Sequence, residues 1–305
     1  MSPRRVTVTG ATGLIGPQLV RALQGRGDEV TVLTRDPARA GEVLGDVEAI
    51  AWDLMSEPAP AQALSGRDAV VHLAGAPVAQ RWTQEARRAI RDTRVTGTGH
   101  LIDGLRGAEE RPRVLVSSSA IGYYGAHGEE PLDEDSPPGR DFLAEVCVEW
   151  EREARAAEDL GMRTVQVRTG VVLDGSGGAL GKMLPPFRMG VGGPVAGGRQ
   201  YISWIHTSDL VGIILASIDD ERWSGPVNAT APEPFSNRDF SRVLGRVLHR
   251  PAIFPVPALA IKALYGDMAE IVTSGARVMP AKALVLGYTF AEPDLERALR
   301  SAIDT

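Results

Sequence analysis

Hydrophobic positions in this chain follow two rhythms that take turns. Val6-Thr7-Val8-Thr9 is a β-branched run that reads as a buried strand, and the apolar residues of 14–23 then recur at helical spacing. The succession repeats along the chain. Residues 29–34 predict a second strand, 47–54 a third, 68–75 a fourth that ends in small residues, 114–116 a fifth and 163–168 a sixth. Ala86, Ala89, Ile90, Val95 and Leu101 give 83–105 the spacing of a crossover helix, and 141–151 reads as another. Asp209 is the expected N-cap of a helix over 210–218, with Thr207 or Ser208 competing for that role. Strands alternating with helices predict an α/β fold, a Rossmann-type doubly wound parallel sheet.

The pattern changes beyond Pro232. Residues 237–248 predict a helix that His249-Arg250-Pro251 breaks, 251–257 looks extended, and 258–264 and 268–272 look helical. Tyr288 and Phe290 form a short apolar segment before the run from Pro293 to Leu299. The expected division is 1–232 as an NADP-binding Rossmann domain with substrate-region insertions, and 233–305 as a smaller C-terminal substrate lobe.

The first strand meets the first helix across Gly10, Gly13 and Gly16. In a dinucleotide turn one glycine bends the chain, one lets the pyrophosphate approach bare backbone, and one lets the helix pack close to the sheet. Thr12, Leu14 and Ile15 complete the turn, and the helix N-terminus faces the phosphates. The end of the second strand in such a unit lies beside the adenosine ribose. Thr34 and Arg35 stand there, and Arg35 suits the 2′-phosphate of NADP, while Asp36 as a ribose ligand keeps NAD(H) in play. Asp53, followed by Leu54, can meet the adenine, although an exposed loop aspartate is equally compatible with the local sequence. Leu73, Ala74 and Gly75 leave room for the cofactor to cross the sheet edge, and Arg81 sits near the expected mouth.

Bulk composition narrows the class. A chain of 305 residues with 43% hydrophobic content supports a large core. Its net charge of −6 comes without a basic block, which argues against a nucleic-acid surface. No apolar run reaches membrane-spanning length, and Met1 to Arg5 leads into a strand rather than a signal-peptide core, so a cytoplasmic protein is expected. Cys147 is the single cysteine and reads as a buried helix residue. The five histidines are scattered with no CxxC or HExxH, so no metal site is proposed. The expected partner is a small-molecule substrate, with the oligomeric state left open and a homodimer compatible.

Thr9-Gly10-Ala11-Thr12-Gly13-Leu14-Ile15-Gly16, Val71-His72-Leu73-Ala74-Gly75, Arg94-Val95-Thr96-Gly97-Thr98 and the run from Val114 to Ala120 resemble the extended short-chain dehydrogenase/reductase superfamily, in its nucleotide-sugar epimerase-like group. Ile121-Gly122-Tyr123-Tyr124-Gly125, Arg168 to Leu173, Gly192-Gly193-Pro194, Ser203 to His206 and Val227 to Pro232 are similar to a subfamily of epimerase family proteins that carry a C-terminal domain of unknown function. That resemblance spans nearly the whole chain.

Hydroxyls at a strand's C-terminal end face the ligand crevice, so Ser117, Ser118 and Ser119 are candidates there, although three serines also suit a turn. The resemblance favours Ser119 for orienting the substrate oxygen and Ser117 for the cofactor, and it implies Gly170 and Val171 as backbone contacts on the nicotinamide side. The superfamily's proton-transfer pair, a tyrosine with a lysine four residues later, has no counterpart at that spacing. Phe142 stands where the tyrosine is expected and Val146 four residues on. Tyr123 and Tyr124 are the nearest phenols, yet a phenol without a cationic neighbour titrates near ~10 and is a poor base at neutral pH. Arg199 is a candidate for an anionic substrate group. His206 can act on the substrate or fasten the lobe to the sheet.

Two functions follow as expectations. One is an NADP(H)-dependent oxidoreductase or epimerase-like enzyme on a small hydroxyl- or carbonyl-bearing substrate, in which a group other than the usual tyrosine handles the proton. The other is a catalytically inactive NADP(H)-binding sensor or scaffold. A non-redox lyase or isomerase with a structural cofactor is a third reading.

Overall fold

Seven parallel strands carry the architecture in the computed structural model, which describes residues 3–304; Met1, Ser2 and Thr305 lie outside the described residues. The strands are β1 (Arg5–Thr9), β2 (Glu29–Thr34), β3 (Glu48–Ala51), β4 (Ala69–His72), β5 (Val114–Ala120), β6 (Arg163–Thr169) and β7 (Gly225–Ala229). Their order across the sheet is β7-β6-β5-β4-β1-β2-β3, so the chain reverses direction of travel between β1 and β4. Ligands in doubly wound sheets bind at such a switch point, outside the carboxyl ends of the strands.

Strand alternation sorts the core into two layers. Val6 and Val8 of β1, Val114 and Val116 of β5 and Val165 and Val167 of β6 point to one face. There α1 (Gly16–Gly25), α2 (Pro37–Leu44) and a later helix (Thr207–Asp219) bury Leu19, Leu23, Ala40, Leu210, Ile213 and Ile214 against them. Leu33, Val70 and Leu115 point the other way, onto α3 (Gln84–Gly107) and α4 (Phe142–Arg155), which supply Leu101, Ile102, Leu105 and Ala154. Both faces are covered, which is why the strands read as apolar on both sides.

A third core lies beyond the strand ends. It joins Leu173 to α5 (Gly178–Arg188), to Trp204, to the helix Asn237–Val247 and to the C-terminal helix Leu295–Asp304. Two short parallel strands, Val171–Leu173 and Trp204–His206, floor this lobe. Gly175 lets the C-terminal helix dock: its N–H donates to the Ala302 carbonyl at 2.8 Å, and a Cβ there would sit 2.3 Å from that oxygen.

The structure corrects some local expectations. β5 runs on through all three serines instead of stopping at Val116, because Ser117, Ser118 and Ser119 pair with Gln166, Val167 and Arg168 of β6. His206, and neither Asp209, Thr207 nor Ser208, caps the helix Thr207–Asp219, with its ring accepting the Ser208 N–H. Asp209 points instead at the chain's tail, accepting the N–H groups of Ala291 at 2.7 Å and Glu292 at 2.9 Å.

Candidate cofactor and substrate cleft

The glycine turn is built as its spacing requires. Gly10 has φ +69°, and a Cβ on it would lie 2.7 Å from the Ala74 nitrogen and the Leu73 carbonyl carbon. Leu73, Ala74 and Gly75 thus press against the turn from the end of β4. Gly16 opens α1, and a Cβ on it would lie 2.1 Å from the Ala11 carbonyl oxygen. Between them the Gly13 N–H closes onto the Gly10 carbonyl at 3.0 Å. No side chain caps α1 and its first turn carries no acid, so its N-terminal N–H groups are left for an anion. Leu14 reaches across to the glycine-rich stretch that precedes α5, where Cβ atoms on Gly177 and Gly178 would meet it at 3.1 and 2.9 Å. Ile15 is the N-cap residue of α1, and Thr12 sits half-buried in the turn.

The second strand ends in a basic corner. Asp36 caps α2 through its side chain, accepting the Arg39 N–H at 3.0 Å, while its own N–H donates to the Thr34 hydroxyl at 3.2 Å. That commitment takes up Asp36, and Arg35 beside it is exposed with no side-chain hydrogen bond among the described residues. Asp53 lies nearby, held below the usual carboxylate range by the Met55 N–H, the Ser56 hydroxyl and the Arg35 charge. Leu54 packs onto α3, where Gly97 makes room for it, and its carbonyl accepts from the His100 ring at 2.8 Å. The residues expected to meet the adenosine end therefore surround one surface, from Thr34 to Leu54.

At the other end the cleft deepens into a cavity of about 990 Å³ between the sheet and the C-terminal lobe. Gly170 and Val171 line it, as do Phe142, Leu143, Val146 and Cys147 of α4. No lining side chain from α4 there is a phenol or an amine. The Cys147 thiol is pushed up to about 12, chiefly by burial and then by the Glu151 charge. The wall is otherwise mostly apolar, with Arg87, Arg94, Arg140 and Lys182 against the acids Asp141 and Glu270.

Ser119, Tyr123 and Tyr124 are brought together, but not at that wall. The Ser119 hydroxyl donates to Glu151 Oε1 at 2.7 Å. Arg168 grips the same carboxylate with Nε at 2.8 Å and Nη2 at 2.9 Å, stacks 3.5 Å from the Tyr123 ring centre, and donates to the Tyr124 oxygen at 2.9 Å. Tyr124 in turn donates to Asn228 Oδ1 at 2.7 Å. Burial pushes the Tyr124 hydroxyl up to about 12 despite the Arg168 charge. None of the three lines the cavity; Ser119 and Tyr124 belong to a buried polar network behind it, with the half-buried Tyr123 ring stacked on its Arg168. The Ser117 hydroxyl is also buried and donates to the Ser118 carbonyl at 3.2 Å.

The remaining candidates scatter. His206 binds Ser208 Oγ at 2.7 Å, and burial lowers its pKa. Arg199 is exposed beside the cavity's Gln200, and Arg81 packs its stem near Gly266 of the C-terminal region. The sequence reading missed two residues. His72 is fully buried between Thr9 Oγ1 at 2.7 Å and Thr98 Oγ1 at 3.1 Å, joining β1, β4 and α3. Arg94 lines the cavity and lies against Gly75. The signal for Arg94 was available, since it lay within a quoted motif, but its side chain's direction depends on how α3 meets α4.

Comparison with known proteins identifies the chain's relatives. The NAD dependent epimerase/dehydratase family profile matches residues 6–229, and a domain of unknown function (DUF1731) matches 256–302. An Arabidopsis thaliana protein named epimerase family protein SDR39U1 homolog, chloroplastic, is 40% identical over 98% of this chain and 87% of its own. Bacillus subtilis epimerase family protein YfhF is 36% identical over 98% and 97%. Human epimerase family protein SDR39U1 (isoform 2), solved with NADPH, superposes with a TM-score of 0.87 at 33% identity, over 99% of both chains.

Proposed function

The chain belongs to the NAD dependent epimerase/dehydratase family, and from that premise we propose that it is an NADP(H)-dependent oxidoreductase or epimerase-like enzyme acting on a small substrate with a hydroxyl or carbonyl group. One observation carries the reading: an uncapped helix N-terminus behind a glycine turn leads from an exposed arginine at one end to a largely apolar cavity at the other. The turn suits a dinucleotide's phosphates: side chains at Gly10 or Gly16 would collide with the backbone of Leu73–Ala74 or of Ala11, while Gly13 has only the Gly10 carbonyl near it and offers bare backbone. Gly10, Gly13 and the N–H groups of 14–16 would hold the pyrophosphate, Arg35 the 2′-phosphate, and Asp53 with Leu54 the adenine surroundings. The human relative's NADPH supports the phosphate-bearing cofactor, and NAD(H) stays compatible with the family. When bound, the nicotinamide supplies or accepts a hydride. The protein's part is to orient the substrate oxygen and exclude water, and the apolar wall from Phe142 to Cys147 suits that task.

A second reading, an NADP(H)-binding sensor or scaffold, draws on a specific observation as well. Ser119 and Tyr124 are engaged in the network behind the cavity, and the Cys147 thiol at its wall is pushed up to about 12, so none of these three is poised to move a proton there at neutral pH. Fluorescence titration with NADPH and NADH, wild type against Arg35→Ala, tests the cofactor assignment. We expect NADPH to bind the wild type more tightly than NADH, and Arg35→Ala to weaken NADPH by about ten- to a hundredfold, as loss of a charge-assisted phosphate contact does. Absence of binding by either nucleotide would overturn the reading. NADPH oxidation across a panel of aldehydes and ketones then separates enzyme from sensor.

A further inference from the structure

Arg94 is a half-buried cation with no counterion among the described residues. It leaves α3 toward α4, and its Nη1 donates to the Ile90 carbonyl and to the Ala76 carbonyl, both at 3.0 Å. Its Nε and Nη2 meet no protein acceptor among the described residues, and no carboxylate approaches within ion-pair distance. One face of the guanidinium lies on Gly75, where a Cβ would come 3.3 Å from Cζ, and the group sits 5.0 Å from the Trp150 ring centre. Cys147, the α4 residue one turn before that region, shares the cavity wall.

Location narrows what such a group meets. Gly75 follows β4, and Gly10 of the phosphate turn packs against Leu73 and Ala74 just before it. Arg94 therefore stands at the switch point between β1 and β4, where the phosphate turn gives way to the cavity. The cavity's other cations differ. Arg87 is paired with Asp267 at 2.8 Å, Lys182 donates to the Ala79 carbonyl, and Arg140 is exposed. Charges drawn out of water are usually paired or ligand-bound, and partial burial already disfavours the charged form of Arg94. A guanidinium with one edge tied to carbonyls and the other open is fixed in direction, and it presents donors only.

We propose that the open edge of Arg94 binds the oxygens of the nicotinamide half of the dinucleotide, its ribose hydroxyls and the phosphate next to them. The helix that faces it, α4, offers only Phe142, Leu143, Val146 and Cys147 to the cavity, so α3 supplies the cation that α4 lacks. This assignment rests on the cofactor reading above. Being permanently charged, Arg94 neither gives nor takes a proton; it positions the cofactor and holds positive charge beside it.

The test compares two ligands on wild type, Arg94→Met and Arg94→Lys. NADPH carries the nicotinamide half, and adenosine 2′,5′-bisphosphate lacks it. We expect Arg94→Met to weaken NADPH by about tenfold or more with adenosine 2′,5′-bisphosphate unchanged, and Arg94→Lys to recover part of the loss. Thermal melting without ligand reports whether each variant keeps the fold, and Arg94→Lys carries the comparison if Arg94→Met does not. Unchanged NADPH affinity in the variants overturns the proposal, as does an equal loss for both ligands, which would make Arg94 a support for the crevice as a whole. If wild type binds neither ligand, the cofactor reading fails first.

Discussion

Glu151 shows how a single side chain sets the behaviour of its surroundings. Its two oxygens take Arg168 Nε and Nη2 and the Ser119 hydroxyl, with both charged side chains almost wholly out of water. Removing one partner of a buried pair strands the other charge. Glu151→Gln is therefore expected to cost about 3–5 kcal/mol in urea unfolding, against about 1.5–3 kcal/mol for Ser119→Ala, which deletes one hydrogen bond to a charged group. A Glu151→Gln protein as stable as wild type would show that the network carries no such load. Ser119 was legible in the sequence as a polar residue at a strand end. Its orientation was not, because a one-residue change of face separates the crevice from the α4 interface. Arg35 was easier, since its position follows from where β2 stops, and Asp36 turned out to be spent on capping α2.

Among the elements, α1 is the most tightly specified. Gly16 and Gly25 stand at its two ends, and they predict opposite outcomes for the same change. A Cβ at Gly16 would meet Ala11 backbone at 2.1 Å, whereas one at Gly25 meets nothing within 4 Å. Gly16→Ala should destabilise by at least about 1–3 kcal/mol through overpacking, and Gly25→Ala should stabilise by about 0.5–1 kcal/mol by restricting the unfolded chain. Thermal melting of the two variants checks the pair; shifts in the same direction would contradict the packing described. Elements with strong periodicity, such as α3 with Thr83 as its N-cap, could be read from sequence to within a residue or two. Elements ruled by distant partners could not. β5 keeps its serines extended because β6 supplies the ladder, and the helix Thr207–Asp219 takes its cap from His206 while Asp209 is engaged by the chain's tail.

For the whole molecule, one buried histidine makes stability depend on pH. His72 is fully enclosed, and burial, with the Arg94 charge adding to it, brings its pKa down to about 4. An Nε2–H tautomer fits its neighbours, with Thr9 donating to Nδ1 and Nε2 donating to Thr98. In the unfolded chain the ring takes up a proton near pH ~6.5, while the native ring stays neutral until about 4. The unfolded state therefore binds more protons in that window. Stability is full above 6.5 and falls as the pH drops toward 4, by about 2 kcal/mol at pH 5 and about 3 kcal/mol in all. Urea unfolding at pH 7.5 and 5 should show that loss in wild type and a smaller one in His72→Gln; equal losses would remove His72 as the cause.

The third core, with members from Leu173 to Ala302, also bears on how the chain comes off the ribosome. All seven strands of the sheet have been made by Ala229, while the ten-residue helix that closes the lobe, Leu295–Asp304, emerges later. Synthesis thus delivers the glycine turn before the helix that completes the chamber beside it, so on the proposed reading a growing chain has the parts to hold a cofactor before it has an enclosure in which to use one.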